Sequence, residues 1–153
     1  MIAALLMIAA LAGEMPAPKA ADVLAGLTGG CFRTDISDGM TDTHCFSVGI
    51  GGLTVMDIHK VRKGRDVVYE GVTIYRAAGH PDVLDYAYYN SDGDLLPGYA
   101  YRDGDDIRFP ATPDVLDVPI SVWRLTADGY DVIIAGKLTR HFVRTSAAGD
   151  TGF

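Results

Sequence analysis

At 153 residues, with 48% hydrophobic and 22% charged side chains, the chain has room for one domain around one core and not for a two-domain enzyme. Its formal charge of −7 argues against partners that present phosphate backbones, which are held by clustered Lys and Arg that release counterions. Nucleic acid is therefore not expected as a partner, and no strong catalytic motif stands in the chain.

Residues 1–12 (MIAALLMIAALA) are uncharged and apolar and end in Ala10-Leu11-Ala12, the small residues that a signal peptidase requires. The expectation is an export signal over 1–12, or extending to about residue 20, and hence a periplasmic or secreted protein. A barrel domain over 21–145 and a tail over 146–153 would follow. Spanning a bilayer takes roughly 20 apolar residues, and Glu14, Pro16 and Pro18 interrupt this run well before that. No membrane span is expected in the mature chain. Leu11-Ala12-Gly13 is followed by Glu14 where a lipid-bearing cysteine would stand, so no lipid anchor is expected either.

Pro16 to Gly29 is rich in Ala and Leu and ends in Gly29-Gly30, consistent with one short helix, Ala21 to Leu27, stopped by glycine. Cys31 and Cys45 come next and are the only cysteines, which in an exported chain suggests a disulfide. Ser37-Asp38-Gly39 between them suits a three-residue hairpin loop, a type I turn followed by a left-handed glycine. That loop pairs Ile36 with Met40, and counting outward aligns Arg33 with Thr43 and Cys31 with Cys45. Directly opposed residues have Cβ atoms about 4.5–5.5 Å apart, near disulfide reach. A two-residue turn would shift the register by one and send the sulfurs to opposite faces.

Beyond Cys31, turn signals recur at Gly51-Gly52, Lys63-Gly64, Gly79-His80-Pro81, Asp92-Gly93, Asp103-Gly104 and Asp128-Gly129, with β-branched and aromatic runs between them. The spacing predicts strands near 31–36, 41–49, 53–62, 66–77, 83–90, 95–102, 106–109, 120–127 and 130–144, an antiparallel meander. One sheet that must hide its apolar face and its edges closes on itself. An all-β, up-and-down, lipocalin-like barrel of about 8–10 strands with one short N-terminal helix is expected.

Strand parity sorts side chains into faces. On 130–144, Val132, Ile134, Gly136, Leu138 and Phe142 share a face with Arg140, while Asp131 and His141 take the other. On 66–77, Glu70 shares a face with Val68, Val72 and Ile74. A charge among apolar neighbours costs several kcal/mol unless it is paired or the interior is wet. This leaves two readings, an Arg140–Glu70 pair inside the barrel and an anion-binding Arg140.

Leu24 to Phe109 resembles a family of small exported bacterial proteins of unknown function with lipocalin-like (calycin) barrels. The resemblance is carried by Leu27-Thr28-Gly29-Gly30-Cys31-Phe32, Thr43-His44-Cys45-Phe46, Asp57-Ile58-His59, Tyr69-Glu70-Gly71 with Thr73-Ile74-Tyr75, and Tyr86-Ala87-Tyr88-Tyr89-Asn90-Ser91. It implies a barrel with a side-chain-lined interior, in which Leu27 or Phe32 fills the place of the opening tryptophan, and it brings no established activity. Arg140-His141-Phe142 is similar to the Arg-x-Tyr element with which lipid-binding barrels hold a carboxylate, without its hydroxyl.

The expected function is the binding of a small, partly apolar ligand, anionic if Arg140 orients it, with Glu70 balancing that arginine and Tyr86 and Tyr88 supplying contact area. The alternative is a small barrel enzyme, an isomerase or hydrolase using His59 with Asp57 or Glu70 as acid and base. His44, His59 and Asp57 make a two-histidine, one-carboxylate cluster conceivable, but no tight spacing requires a metal, and neither metal nor cofactor is expected. The acidic runs at Asp92-Gly93-Asp94 and Asp103-Gly104-Asp105-Asp106 read as hairpin turns, since they lack the alternating ligand series of a calcium loop.

Overall fold

The protein is described here by a computed structural model covering residues 18–78, 80 and 82–145. The expected export signal (1–12) and tail (146–153) lie outside the described residues. Among those described, ten strands run in chain order: β1 (Cys31–Ile36), β2 (Met40–Gly49), β3 (Thr54–Lys63), β4 (Asp66–Ala77), β5 (Leu84–Asn90), β6 (Leu95–Asp103), β7 (Asp106–Pro110), β8 (Pro119–Leu125), β9 (Gly129–Ile134) and β10 (Lys137–Thr145). Each pairs antiparallel with the next, and β10 pairs with β1 to close the ring. The protein is thus an all-β, up-and-down, closed barrel, and closure leaves no edge strand exposed.

The first hairpin takes the register that joins the cysteines. Ile36 opposes Met40, Cys31 opposes Cys45, and the two sulfurs are bonded. In the turn both Asp38 and Gly39 adopt left-handed conformations, not the glycine alone, and aspartate tolerates that region better than most residues.

One end of the barrel is filled by the segment before β1. The helix α1 (Ala20–Val23) and the turns after it bury Val23, Leu24 and Leu27. Arg102 donates to the carbonyl of Ala25 at 2.9 Å and Arg144 to that of Gly26 at 2.6 Å, so both cations also satisfy carbonyls left over at the end of this segment. Above this plug lies an aromatic layer from β1, β2, β9 and β10, in which Phe32 meets Tyr130 edge-on at 5.3 Å and Tyr130 stacks on Phe142 at 4.8 Å. Leu27 and Phe32 are both fully buried there.

The region expected as one strand over 130–144 is two strands. Ala135 and Gly136 take left-handed conformations and turn the chain, so Ile134 faces Lys137. A bulge follows between Leu138 and Arg140, leaving Thr139 as the extra residue. It separates two residues expected to share a face: Leu138 points outward and is exposed, whereas Arg140 opposes Val132 on the inner face beside Phe142.

The apolar set of β4 also lies opposite to expectation. Tyr75, Thr73, Gly71 and Tyr69 follow the inner register, while Ile74, Val72 and Glu70 point outward, Glu70 opposite Lys60. Glu70 is exposed and cannot balance Arg140 inside the barrel. The even–odd pattern was right, but the apolar face is the outer one, because the inner face here lines a polar and aromatic chamber.

Candidate functional site

Away from the plugged end the barrel holds a cavity of about 360 Å3, lined by His44 and His59, Tyr75, Tyr86 and Tyr88, and Trp123, among others. Phe109 and Pro110 contribute to one wall, and the exposed Leu96 and Ile120 stand at the mouth. Trp123 is the sole tryptophan of the chain, so the cavity carries its own spectroscopic reporter.

Two glycines make room for the tyrosines expected to contact a ligand. A Cβ at Gly71 would stand 2.5 Å from Cε2 of Tyr88, and one at Gly98 would collide with the ring of Tyr86. Each ring therefore lies across the backbone of a cross-strand or near-register glycine, with its hydroxyl end over the glycine itself. The structure brings both Tyr86 and Tyr88 to the cavity wall.

The polar groups of the chamber come from β2 and β3, where the alternations Asp42, His44, Phe46 and Val55, Asp57, His59 face inward side by side. His44 opposes His59 across the two strands, and their rings stack at 4.3 Å. His44 Nδ1 donates to Asp57 Oδ2 at 2.7 Å. Its Nε2 lies 3.7 Å from Asp42 Oδ1, and His59 Nε2 lies 2.7 Å from that same oxygen. Arg140 Nη1 donates to Asp42 Oδ2 at 2.7 Å, while Tyr88 Oη lies 3.2 Å from His59 Nδ1 and donates to Tyr69 Oη at 2.7 Å. Asp42 and Asp57 are both almost wholly buried.

Arg140 thus reaches the interior as expected, but its partner is Asp42 and it does not line the cavity. Asp57 and His59 share the inner face, yet the carboxylate holds His44 and not His59. Asp42 escaped the sequence reading; its signal was the alternation Asp42, His44, Phe46, which puts the carboxylate on the same face as a histidine and an aromatic. His141 points outward and pairs with Asp131 at 2.6 Å. The described acidic turns hold no ligand series: Asn90 bonds Asp94, and Asp103 pairs with Arg108. Among the described residues, the side chains placed to hold a metal are Asp42, His44 and His59, whose ligand atoms lie within 4.8 Å of one another.

Burial works against the charged forms in this cluster, and the partners outweigh it. Asp42 is pushed up by burial, yet His59, His44 and Arg140 around it bring its pKa below the ordinary carboxylate value. Burial likewise disfavours the His44 imidazolium, but Asp57 and then Asp42 raise its pKa above that of a free histidine. Tyr88 is raised by burial and by its bond to Tyr69, so its hydroxyl stays protonated at any physiological pH. The sign of the pH dependence follows. A raised histidine pKa stabilises the fold fully below the unfolded value, about 6.5, and that contribution is lost as pH rises through the folded value. A lowered aspartate pKa stabilises above about 3.9 and is lost as pH falls through the folded value. The melting temperature should therefore fall between pH 5.5 and pH 8.5, and His44→Gln should flatten that slope in thermal melts; an equal slope in the variant would remove His44 as its source.

Comparison of the chain with known protein families and with curated proteins finds no match. Among the described residues no helix is long and apolar enough to cross a membrane.

Proposed function

We propose that the barrel binds a small, partly apolar molecule in its cavity, the ring or chain of the ligand against Trp123, Phe109, Tyr75 and Tyr86 and its polar end toward His44, His59 and Tyr88. The observation that carries this reading is the cavity of about 360 Å3 with aromatic walls and polar groups gathered on one side, the pattern of small-molecule sites in barrels. Asp57 Oδ1 is buried without a hydrogen-bond partner and would accept from a hydroxyl or amine on the ligand. An anionic end would meet the imidazoles, not Arg140, whose charge is taken up by Asp42. The disulfide supports an exported protein, since such bonds persist in oxidising compartments.

Titration with 1-anilinonaphthalene-8-sulfonate, an aromatic anion, should change Trp123 fluorescence saturably at one site per chain. Ser121→Phe, which fills the cavity from β8 without touching the histidines, should weaken that binding at least tenfold, about 1.4 kcal/mol. A linear, unsaturable response in the folded wild type would overturn the reading.

A second reading is an acid–base enzyme, an isomerase or hydrolase, favoured by the buried His44–Asp57 pair at 2.7 Å on the cavity wall. An enzyme using the His44 imidazole, held by Asp57, as its base would lose most of its turnover of an activated ester in His44→Ala while keeping affinity for the fluorescent probe.

A further inference from the structure

We propose that Asp42, His44 and His59 form a binding site for one divalent first-row transition-metal ion, with a coordination position open to the barrel cavity. The inference stands apart from the small-molecule reading, because metal affinity is measured with no organic ligand present.

The argument begins with where the hydrogens lie. Tyr88 donates its hydroxyl hydrogen to Tyr69, so toward His59 it offers a lone pair, which His59 Nδ1–H fills. His44 Nδ1–H is likewise committed to the Asp57 carboxylate. Both imidazoles therefore turn Nε2 toward Asp42 Oδ1, at 2.7 Å from His59 and 3.7 Å from His44. Asp42 Oδ1 and His59 Nε2 are both buried and neither has a hydrogen-bond partner, although they stand close together. A hydrogen on that nitrogen would not point along the line to the oxygen, so a proton serves this contact poorly. An ion coordinated by both atoms serves it well.

The spacing fits such an ion. Zinc sits about 2.0–2.2 Å from nitrogen and oxygen ligands in tetrahedral geometry, which places ligand atoms roughly 3.3–3.6 Å apart. The separations at Asp42 Oδ1 bracket that range, and all three atoms lie within 4.8 Å of one another. Modest side-chain rotations bring them to it.

The outer partners are those that metal ligands require. A ligating histidine nearly always gives its other N–H to a carboxylate or another acceptor, which fixes the tautomer and aims the ring. Asp57 does this for His44 and Tyr88 for His59, while Arg140 holds Asp42 Oδ2 at 2.7 Å and leaves Oδ1 to coordinate. Two imidazoles and one carboxylate select zinc, iron, nickel or copper over calcium and magnesium, which prefer oxygen donors. With neutral histidines, Asp42 and Asp57 balance all but one positive charge of a divalent ion together with Arg140. His44 and His59 line the cavity, so that residual charge faces the space in which an anion or a water molecule would sit.

The test uses the full chain, stripped with EDTA and dialysed. Isothermal titration with ZnCl2 should show one zinc per chain, and Co2+ should give the intense visible absorption of a low-coordinate site. His44→Gln, His59→Gln and Asp42→Asn should each weaken zinc at least 100-fold. Asp57→Asn and Tyr88→Phe, which touch only the outer partners, should weaken it about 10–100-fold. His141→Gln, which alters the exterior histidine, should leave the affinity unchanged and serves as the control for surface binding. Wild-type protein that stays folded yet takes up no zinc at 100 μM overturns the proposal. So does zinc binding that survives His44→Gln and His59→Gln and is lost in His141→Gln. The wild-type arm decides the matter even if a variant fails to fold.

Discussion

Asp42→Ala is expected to lower the stability of the metal-free protein by about 3 kcal/mol, because removing one partner of a buried ionic cluster leaves the others uncompensated. The carboxylate is almost wholly buried and accepts from Arg140 with one oxygen while the other faces both imidazoles. The figure lies at the lower end for buried pairs because the Arg140 side chain is 46% exposed and can turn to solvent. The histidines have no such escape. A fall in melting temperature of roughly 10 °C should accompany the loss. Asp42→Asn keeps the shape and should lose less, and a melting temperature within 2 °C of wild type for the alanine variant would mean that the cluster does not anchor the barrel wall.

The second large effect is expected from the disulfide. Cys31 and Cys45 close a loop with a sequence separation of 14, for which chain entropy gives about 3 kcal/mol. Replacing both cysteines by serine, or adding reductant, should therefore lower the melting temperature by roughly 10 °C. The bond also lies beside the closure of the ring, where Thr145 donates its hydroxyl to the Cys31 carbonyl at 3.3 Å. Melts with and without reductant measure the effect directly, and superimposable curves would show that the β1–β2 register holds without the bond.

Much of this fold could be read from turn chemistry. Glycine-bearing turns bounded β1 to β7 to within about a residue, and the cysteine spacing fixed the first register, because both are local and a hairpin has few alternatives. The missed turn, at Ala135-Gly136, carries a left-handed alanine, which no composition rule flags. Parity placed Arg140 inward correctly but gave it the wrong partner. Glu70 stands among apolar neighbours on its face, which suggests an interior position, but those neighbours coat the exterior. Asp42 meets Arg140 across 98 residues of chain, a pairing that no local pattern encodes. The histidine–carboxylate cluster was half legible, since Asp57 and His59 alternate visibly; what decided the rest was the register of β2 against β3, which sets His44 opposite His59.

The way the ring closes bears on how the chain reaches its native state. Nine of the ten pairings join strands consecutive in sequence, and only β1 with β10 brings distant segments together. The entropy of closing long loops is thus deferred to a single event, and the mean sequence separation of contacts stays low for an all-β protein. Successive hairpins can add to the growing sheet as they form, each templated by the one before. Until the last strand docks, both outer strands are open to pairing with other molecules. The plug before β1 and the strand β10 meet at that seam, where Arg144 reaches from one to the other, so the final step of folding seals the wall and fastens the floor at once.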